Sequence, residues 1–291
     1  MNDTLMVIGE ALIDFIPTEQ GMALKDVCSF TKHCGGAPIN IAAAAAKLGA
    51  HSKVLTQVGA DAFGDFILET LSLCQVDITA VKRTKQYPTA LAFVALDEKG
   101  NRDFPFYRDP CADLYLSAED ITATMFQDCG ILHFCSVDLV DSPMKQAHLK
   151  SIQLAKEQGA IISFDPNVRL PLWSSKEDCK NTILEFAPYA DILKISDDEL
   201  FFLTGQKDCE QVFTVFPDAT IILLTCGEQG SYLMTKEHRL YEKPIPVKAI
   251  DTTGAGDAFA AAFLYQLLRD GISREQLPHL SKDILQVYLR F

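Results

Sequence analysis

The chain has 291 residues, 48% of them apolar, and 26 Lys and Arg against 39 Asp and Glu give a formal net charge of −13. That apolar content excludes a disordered chain, and the length suits one large α/β domain or two smaller ones. With an acidic balance and no Lys/Arg-rich run, neither a nucleic-acid backbone nor an anionic membrane is expected as a partner.

No stretch approaches the roughly 20 uninterrupted apolar residues of a bilayer span, and the N-terminus lacks a basic segment before its apolar stretch. The expectation is a soluble, unexported, cytoplasmic protein. The nine cysteines include no C-x-x-C pair, which suits reduced thiols, and the six histidines include no H-x-x-x-H pair that would favour zinc.

Taken in chain order, strand-length apolar runs recur at LMVIG (from 5), ILHFCSV (131), AIISFDP (160), ADILKIS (190) and TIILLTCG (220). Between them lie helical stretches: INIAAAAAKLG (39), FGDFILETLSLC (63), PMKQAHLKSIQLAKEQG (143) and KEDCKNTILEFA (176). Spacings near 30 residues fit βαβ units, and near-continuous apolar strands imply a mostly parallel sheet covered on both faces. Ligands of such sheets bind beyond the carboxyl ends of the strands.

Two strand-like segments break this rhythm, 12–34 and 86–108, the second turning at Glu98 to Asn101. They are expected to form a small β-layer inserted as a lid over one end of the sheet, or else an edge extension of the main sheet. The core is then 1–11, 35–85 and 109–291.

The chemistry-bearing stretches follow the strands. Gly35 and Gly36 in CGGAPIN permit close backbone approach, and Asn40 offers donors and acceptors suited to sugar hydroxyls; a tight turn before a helix would use the same glycines. Asp14 follows the first strand, as a polar site group or a turn carboxylate. Asp165, Asn167 and Arg169 in FDPNVR form a loop at the sheet's carboxyl edge, because Pro166 blocks a helix there. Thr225, Gly227 and Gly230 in TCGEQG could approach phosphate through the backbone, or simply lead into a hairpin.

DTTGAGDAF, at 251–259, opens a buried helix. Gly254, Ala255 and Gly256 leave N–H groups unblocked at its start, which makes an anion cradle. Asp257 there is either a helix cap or a base that takes a proton from a hydroxyl attacking a phosphoryl group. No G-x-x-x-x-G-K-S/T, protein-kinase Gly-rich loop or G-x-G-x-x-G is present, which argues against a P-loop kinase and a dehydrogenase.

GGAPIN, FYRDPCADL (106–114), FDPNVRLPLW (164–173) and DTTGAGDAF together resemble the ribokinase-like (PfkB) carbohydrate kinases over essentially the whole chain, with the second and third stretches most like those of fructokinases. The resemblance implies a three-layer αβα doubly wound sheet with an inserted β lid. It also implies phosphoryl transfer from MgATP to a sugar hydroxyl, the 6-hydroxyl of fructose being expected. Asp257 would be the base and the Gly254, Ala255 and Gly256 amides the anion hole. Asp14, Gly35, Gly36 and Asn40 would hold the sugar, with Arg108 and Arg169 near it and the moving phosphate. Lys194, Glu199, Thr225, Gly227 and Gly230 would serve the nucleotide, and Glu199 also the magnesium region. Asp251 and the Thr253 carbonyl would help bind a monovalent cation such as potassium.

A homodimer through the lid is implied as well. The final helix SKDILQVYLRF puts Leu280, Ile284, Val287 and Phe291 on one face, and the expectation is that a C-terminal segment is missing after 291. Another sugar or a ribonucleoside as substrate, and a truncated sugar-binding relative without catalysis, are the alternatives.

Overall fold

The computed structural model describes residues 2–19, 22–93, 95–96, 102–103, 105–205, 212–246 and 252–291. Its strands are β1 (Thr4–Ile8), β2 (Leu12–Pro17), β3 (Phe30–Gly35), β4 (His51–Gly59), β5 (Val81–Thr84), β6 (Ala90–Phe93), β7 (Ala95–Leu96), β8 (Arg102–Asp103), β9 (Phe106–Tyr107), β10 (Cys129–Cys135), β11 (Ile161–Asp165), β12 (Ile192–Ser196), β13 (Ile221–Thr225), β14 (Ser231–Met234) and β15 (Arg239–Glu242). Its helices are α1 (Ala37–Leu48), α2 (Ala62–Leu73), α3 (Pro143–Glu157), α4 (Lys176–Phe186), α5 (Asp197–Thr204), α6 (Val212–Val215), α7 (Ala255–Arg269) and α8 (Lys282–Arg290).

One nine-stranded sheet runs β15-β14-β13-β12-β11-β10-β1-β4-β5. From β13 to β5 every neighbouring pair is parallel, and β14 and β15 add an antiparallel edge. The expected apolar runs become β1, β10, β11, β12 and β13, whose side chains are almost wholly buried because helices cover both faces.

Alternation along each strand assigns its side chains to the two faces. In β1, Met6 and Ile8 join a core with α3, α4 and α5, while Leu5 and Val7 join one with α1, α2, α7 and α8. The fold is thus a three-layer doubly wound αβα sandwich. The chain runs outward from β1 through β4 to β5, then returns to β10 on the other side of β1 and runs outward from there to β13. The crevice at the carboxyl ends of these strands is the topological switch point where this architecture binds ligands.

The two segments that interrupt the α/β rhythm supply a separate small sheet, ordered β3-β2-β6-β9, and β7 and β8 pair beside it. Phe15, Phe30 and Phe93 pack together on it, and Phe63 of α2 meets Phe15 edge-on at 5.7 Å. The turn expected at 98–101 lies outside the described residues.

Of the stripe read from the sequence, Leu280 precedes α8 and is half-buried against the core, while the other three face outward. Ile284, Val287 and Phe291 are exposed, and Leu285, Tyr288 and Leu289 are the buried face. Among the described residues no helix is long and apolar enough to cross a membrane.

Candidate active site

A cleft of about 710 Å³ opens at the switch point, between the ends of β1, β10, β11 and β12, the first turns of α1 and α7, and β2 of the small sheet. Its lining includes Glu10, Asp14, Gly36, Asn40, Phe106, Arg169, Lys194, Ser196, Asp198, Glu199, Thr253, Gly254, Gly256 and Asp257. Carboxylates outnumber the cations Arg169 and Lys194, so a polyanion binding here would have to bring or recruit positive charge.

Asp257 sits in the first turn of α7 without capping it. Gly254, at φ 76°, is the N-cap, and no side chain caps the helix. Asp257 Oδ2 instead accepts from Asn40 Nδ2 at 2.9 Å, a contact between the first turns of α7 and α1. Burial raises the Asp257 pKa; Asp165 adds to the rise, and the Asn40 bond, Lys194 and Arg169 oppose it. A carboxylate that holds a proton more readily than usual, hydrogen-bonded yet open to a cleft, is equipped to take one from a hydroxyl. Of the amides at the helix start, the Ala255 N–H donates to Thr252 O at 3.2 Å, while Gly254 and Gly256 line the cleft.

Around α1 the glycines have separate tasks. A Cβ on Gly35 would collide with the Asp14 carboxylate across the β2–β3 pair, so only glycine leaves that carboxylate its place. Gly36, at φ 115°, packs against the Glu10 carbonyl and opens α1 with no cap of its own. Glu10 supplies the missing acceptor, its Oε1 taking the Ala37 N–H at 2.9 Å. Asp14 is pushed up to about 6 by burial, against the pull of His33 and Arg169.

The remaining expected residues fall into two groups. Arg169 and Lys194 line the cleft, as does Glu199. Glu199 is also the N3 member of a capping box: its Oε2 accepts from Ser196 N and Oγ at 2.9 Å, and its Oε1 from Val168 N at 2.8 Å. Arg108, by contrast, is buried outside the lining. It donates to Asp113 Oδ2 at 2.6 Å and to Asp138 Oδ1. Thr225, Gly227 and Gly230 also stand outside the lining, one strand over, where Thr225 pairs with Ser196. Asp251 lies outside the described residues.

Glu10 and Asp198 line the cleft although the sequence reading passed over them. The signal for Glu10 was present, because it follows β1 at the carboxyl edge as directly as FDPNVR follows β11.

Comparison with known proteins decides the family. Residues 2–278 match the pfkB family carbohydrate kinase description. The chain belongs to this family. It is 40% identical over 277 residues to Probable fructokinase-2 of Arabidopsis thaliana, covering 94% of this chain and 84% of that one. Among solved structures, fructokinase with bound ATP from Xylella fastidiosa matches with a TM-score of 0.92 at 31% identity, covering 100% of this chain and 89% of that one. Fructokinase from Vibrio cholerae in a fructose, ADP and potassium ion bound form, a double mutant, matches with a TM-score of 0.86 at 32% identity, covering 99% and 88%.

Proposed function

We propose that this family member is an ATP-dependent fructokinase that phosphorylates the 6-hydroxyl of D-fructose. The observation that carries the reading is the half-buried Asp257 carboxylate, bonded to Asn40 and open to the cleft at the head of α7. The named activity comes from relatives called fructokinases, similar over nearly the whole chain.

In this reading Asp257 accepts the proton of the attacking hydroxyl, whose oxygen bonds to the γ-phosphorus as the bond to the β–γ bridging oxygen breaks and ADP leaves. The Gly254, Ala255 and Gly256 amides steady the transferring group, Ala255 giving up its bond to Thr252. Asp14, Gly36, Asn40 and Arg169 hold the sugar, and Gly35 keeps room for Asp14. Arg108 acts from beneath, by holding Asp113 and Asp138. Thr225, Gly227 and Gly230 flank the nucleotide beyond Ser196.

Magnesium fits the donor set. Asp198 and Glu199 are hard oxygen ligands, and magnesium is commonly held by one or two carboxylates together with substrate phosphates. It would supply charge neutralisation on the phosphates. A monovalent cation would draw on Thr253 and on Asp251. The small sheet, which brings Asp14 and Phe106 to the cleft, serves as the lid, and its outer face as the surface for a second copy. Cytoplasmic residence completes the reading.

A coupled assay of ADP release across fructose, ribose, ketodeoxygluconate and nucleosides tests it. Fructose is expected to give the highest kcat/KM, and preference for another acceptor would overturn the substrate assignment.

A further inference from the structure

The carboxyl that joins the end of β1 to the start of α1 has one oxygen to spare. Glu10 is buried, and its Oε1 accepts the Ala37 N–H at 2.9 Å, while its Oε2 has no donor among the described residues. Beyond the end of β10, Asp138 is placed in the same way. Its Oδ1 accepts from Arg108, which follows β9, and its Oδ2 is buried without a donor among the described residues. Asp113 completes the cluster and is satisfied. Arg108 serves its Oδ2 at 2.6 Å, and Leu114 N and Cys111 Sγ serve its Oδ1 at 3.1 and 2.7 Å.

Three buried carboxyls thus face one buried guanidinium. With all three ionised, the cluster would hold excess negative charge away from water and leave two carboxylate oxygens without a donor, both costly arrangements. A single proton relieves both. Burial first, and then Asp138, raise Glu10 to about 8, with Arg108 and the Ala37 bond opposing. Asp113 presses on Asp138 in the same sense, and Arg108 again opposes. Cys135 of β10 also faces Glu10, as a thiol that burial holds neutral, and the first turn of α1 carries no acid.

Resting on Asp257 as the base, we propose that Glu10 and Asp138 share one proton, Oε2 to Oδ2, and that this link makes Glu10 a positioning residue for Asp257. The link closes a chain of contacts across the floor of the cleft. It runs from Arg108 through Asp138 and Glu10 to the Ala37 amide at the start of α1. In that first turn Asn40 N donates to Gly36 O at 3.0 Å, and Asn40 Nδ2 donates to Asp257 Oδ2 at 2.9 Å. Loss of the proton sets two buried anions side by side, so Glu10 withdraws from Asp138 and shifts the start of α1 with it. A displacement of about 1 Å at a reacting group can cost about 10²-fold in rate.

The test is kcat against pH, from about 6.5 to about 9.5, with saturating fructose and ATP, in the full wild-type chain, Glu10→Gln and Asp138→Asn. Each amide offers its partner's bare oxygen a hydrogen that does not titrate. Wild-type kcat is expected to fall by about tenfold per pH unit above about 8, and both variants to hold theirs level through that range. Either variant decides the matter if the other fails to fold. An infrared titration needs no turnover and so separates failure of this inference from failure of the fructokinase reading. The C=O band of a protonated carboxyl should vanish at about pH 8 in the wild type and be missing from Glu10→Gln. A wild type without that band, or amide variants that keep the wild-type alkaline limb, would overturn the inference.

Discussion

Gly35 shows how a single missing side chain places a charge. Its position opposite β2 is the space that the Asp14 carboxylate occupies. Gly35→Ala is therefore expected to displace Asp14 and raise the KM for fructose by about tenfold, the scale of one lost hydrogen bond to a charged group, with a smaller change in the KM for ATP. Steady-state kinetics with each substrate varied check this. Asp14 also sets a pH dependence. Burial pushes it up to about 6, so it gains a proton as pH falls through that value and ceases to be a full hydroxyl acceptor. The KM for fructose should climb below about pH 6 and stay level above it; a flat profile across that range contradicts the role. These assignments were only half legible in the sequence. GGAPIN and GAGD announced a turn and an anion cradle by composition, but the bond between Asn40 and Asp257 joins residues 217 apart and comes only from the packing of α1 on α7. Arg108 was legible as a cation near a motif, not as one enclosed by Asp113 and Asp138.

At the scale of elements, α1 depends on a residue outside itself. Gly36 provides no cap, and the Glu10 carboxyl accepts the Ala37 N–H from the end of β1. Glu10→Gln keeps an acceptor there and Glu10→Ala removes it. Denaturant unfolding should show Glu10→Ala less stable than Glu10→Gln by about 1 kcal/mol, the usual worth of an N-cap. Equal stabilities would mean that the cap has no consequence. Central strands were readable because burial on both faces leaves them apolar throughout. β4 was not, since Ser52, Lys53, Thr56 and Gln57 interrupt its pattern. Gln57 Nε2 donates to Ala112 O at 2.8 Å and Lys53 Nζ lies 3.4 Å from Asp128 Oδ1, whereas the Ser52 and Thr56 hydroxyls are buried without a hydrogen-bond partner among the described residues. For α8, period alone did not tell which face packs: the stripe through Ile284 and Val287 is apolar but turned outward, and Leu285, Tyr288 and Leu289 carry the packing.

Across the whole molecule, the cleft and the layer beneath it gather acids that the fold only partly neutralises. Burial raises Glu10 to about 8 and Asp138 to about 7, each further affected by neighbouring acids and relieved in part by Arg108. The folded state thus holds these protons more tightly than the unfolded chain. Their contribution to stability is complete below the ordinary carboxylate range and is lost as pH rises through the folded values. Asp61, Asp77 and Asp120 are shifted downward, so their contributions are lost only in acid and leave this window unaffected. Burial lowers His133 to about 3 and His148 to about 4, so up to their unfolded value of 6.5 these two act in the opposite sense. Above it the melting temperature should fall as pH rises to about 8, and fall less in Glu10→Gln; identical slopes would contradict the assignment. The same enclosed, acidic site makes the role of Asp257 the claim on which the rest depends. Fructose-dependent ADP release by Asp257→Asn, with its melting temperature recorded beside that of the wild type, tests it most directly. The account predicts a kcat lower by about 10²- to 10⁴-fold with the fold intact, whereas a folded variant that retains most of its turnover would contradict it.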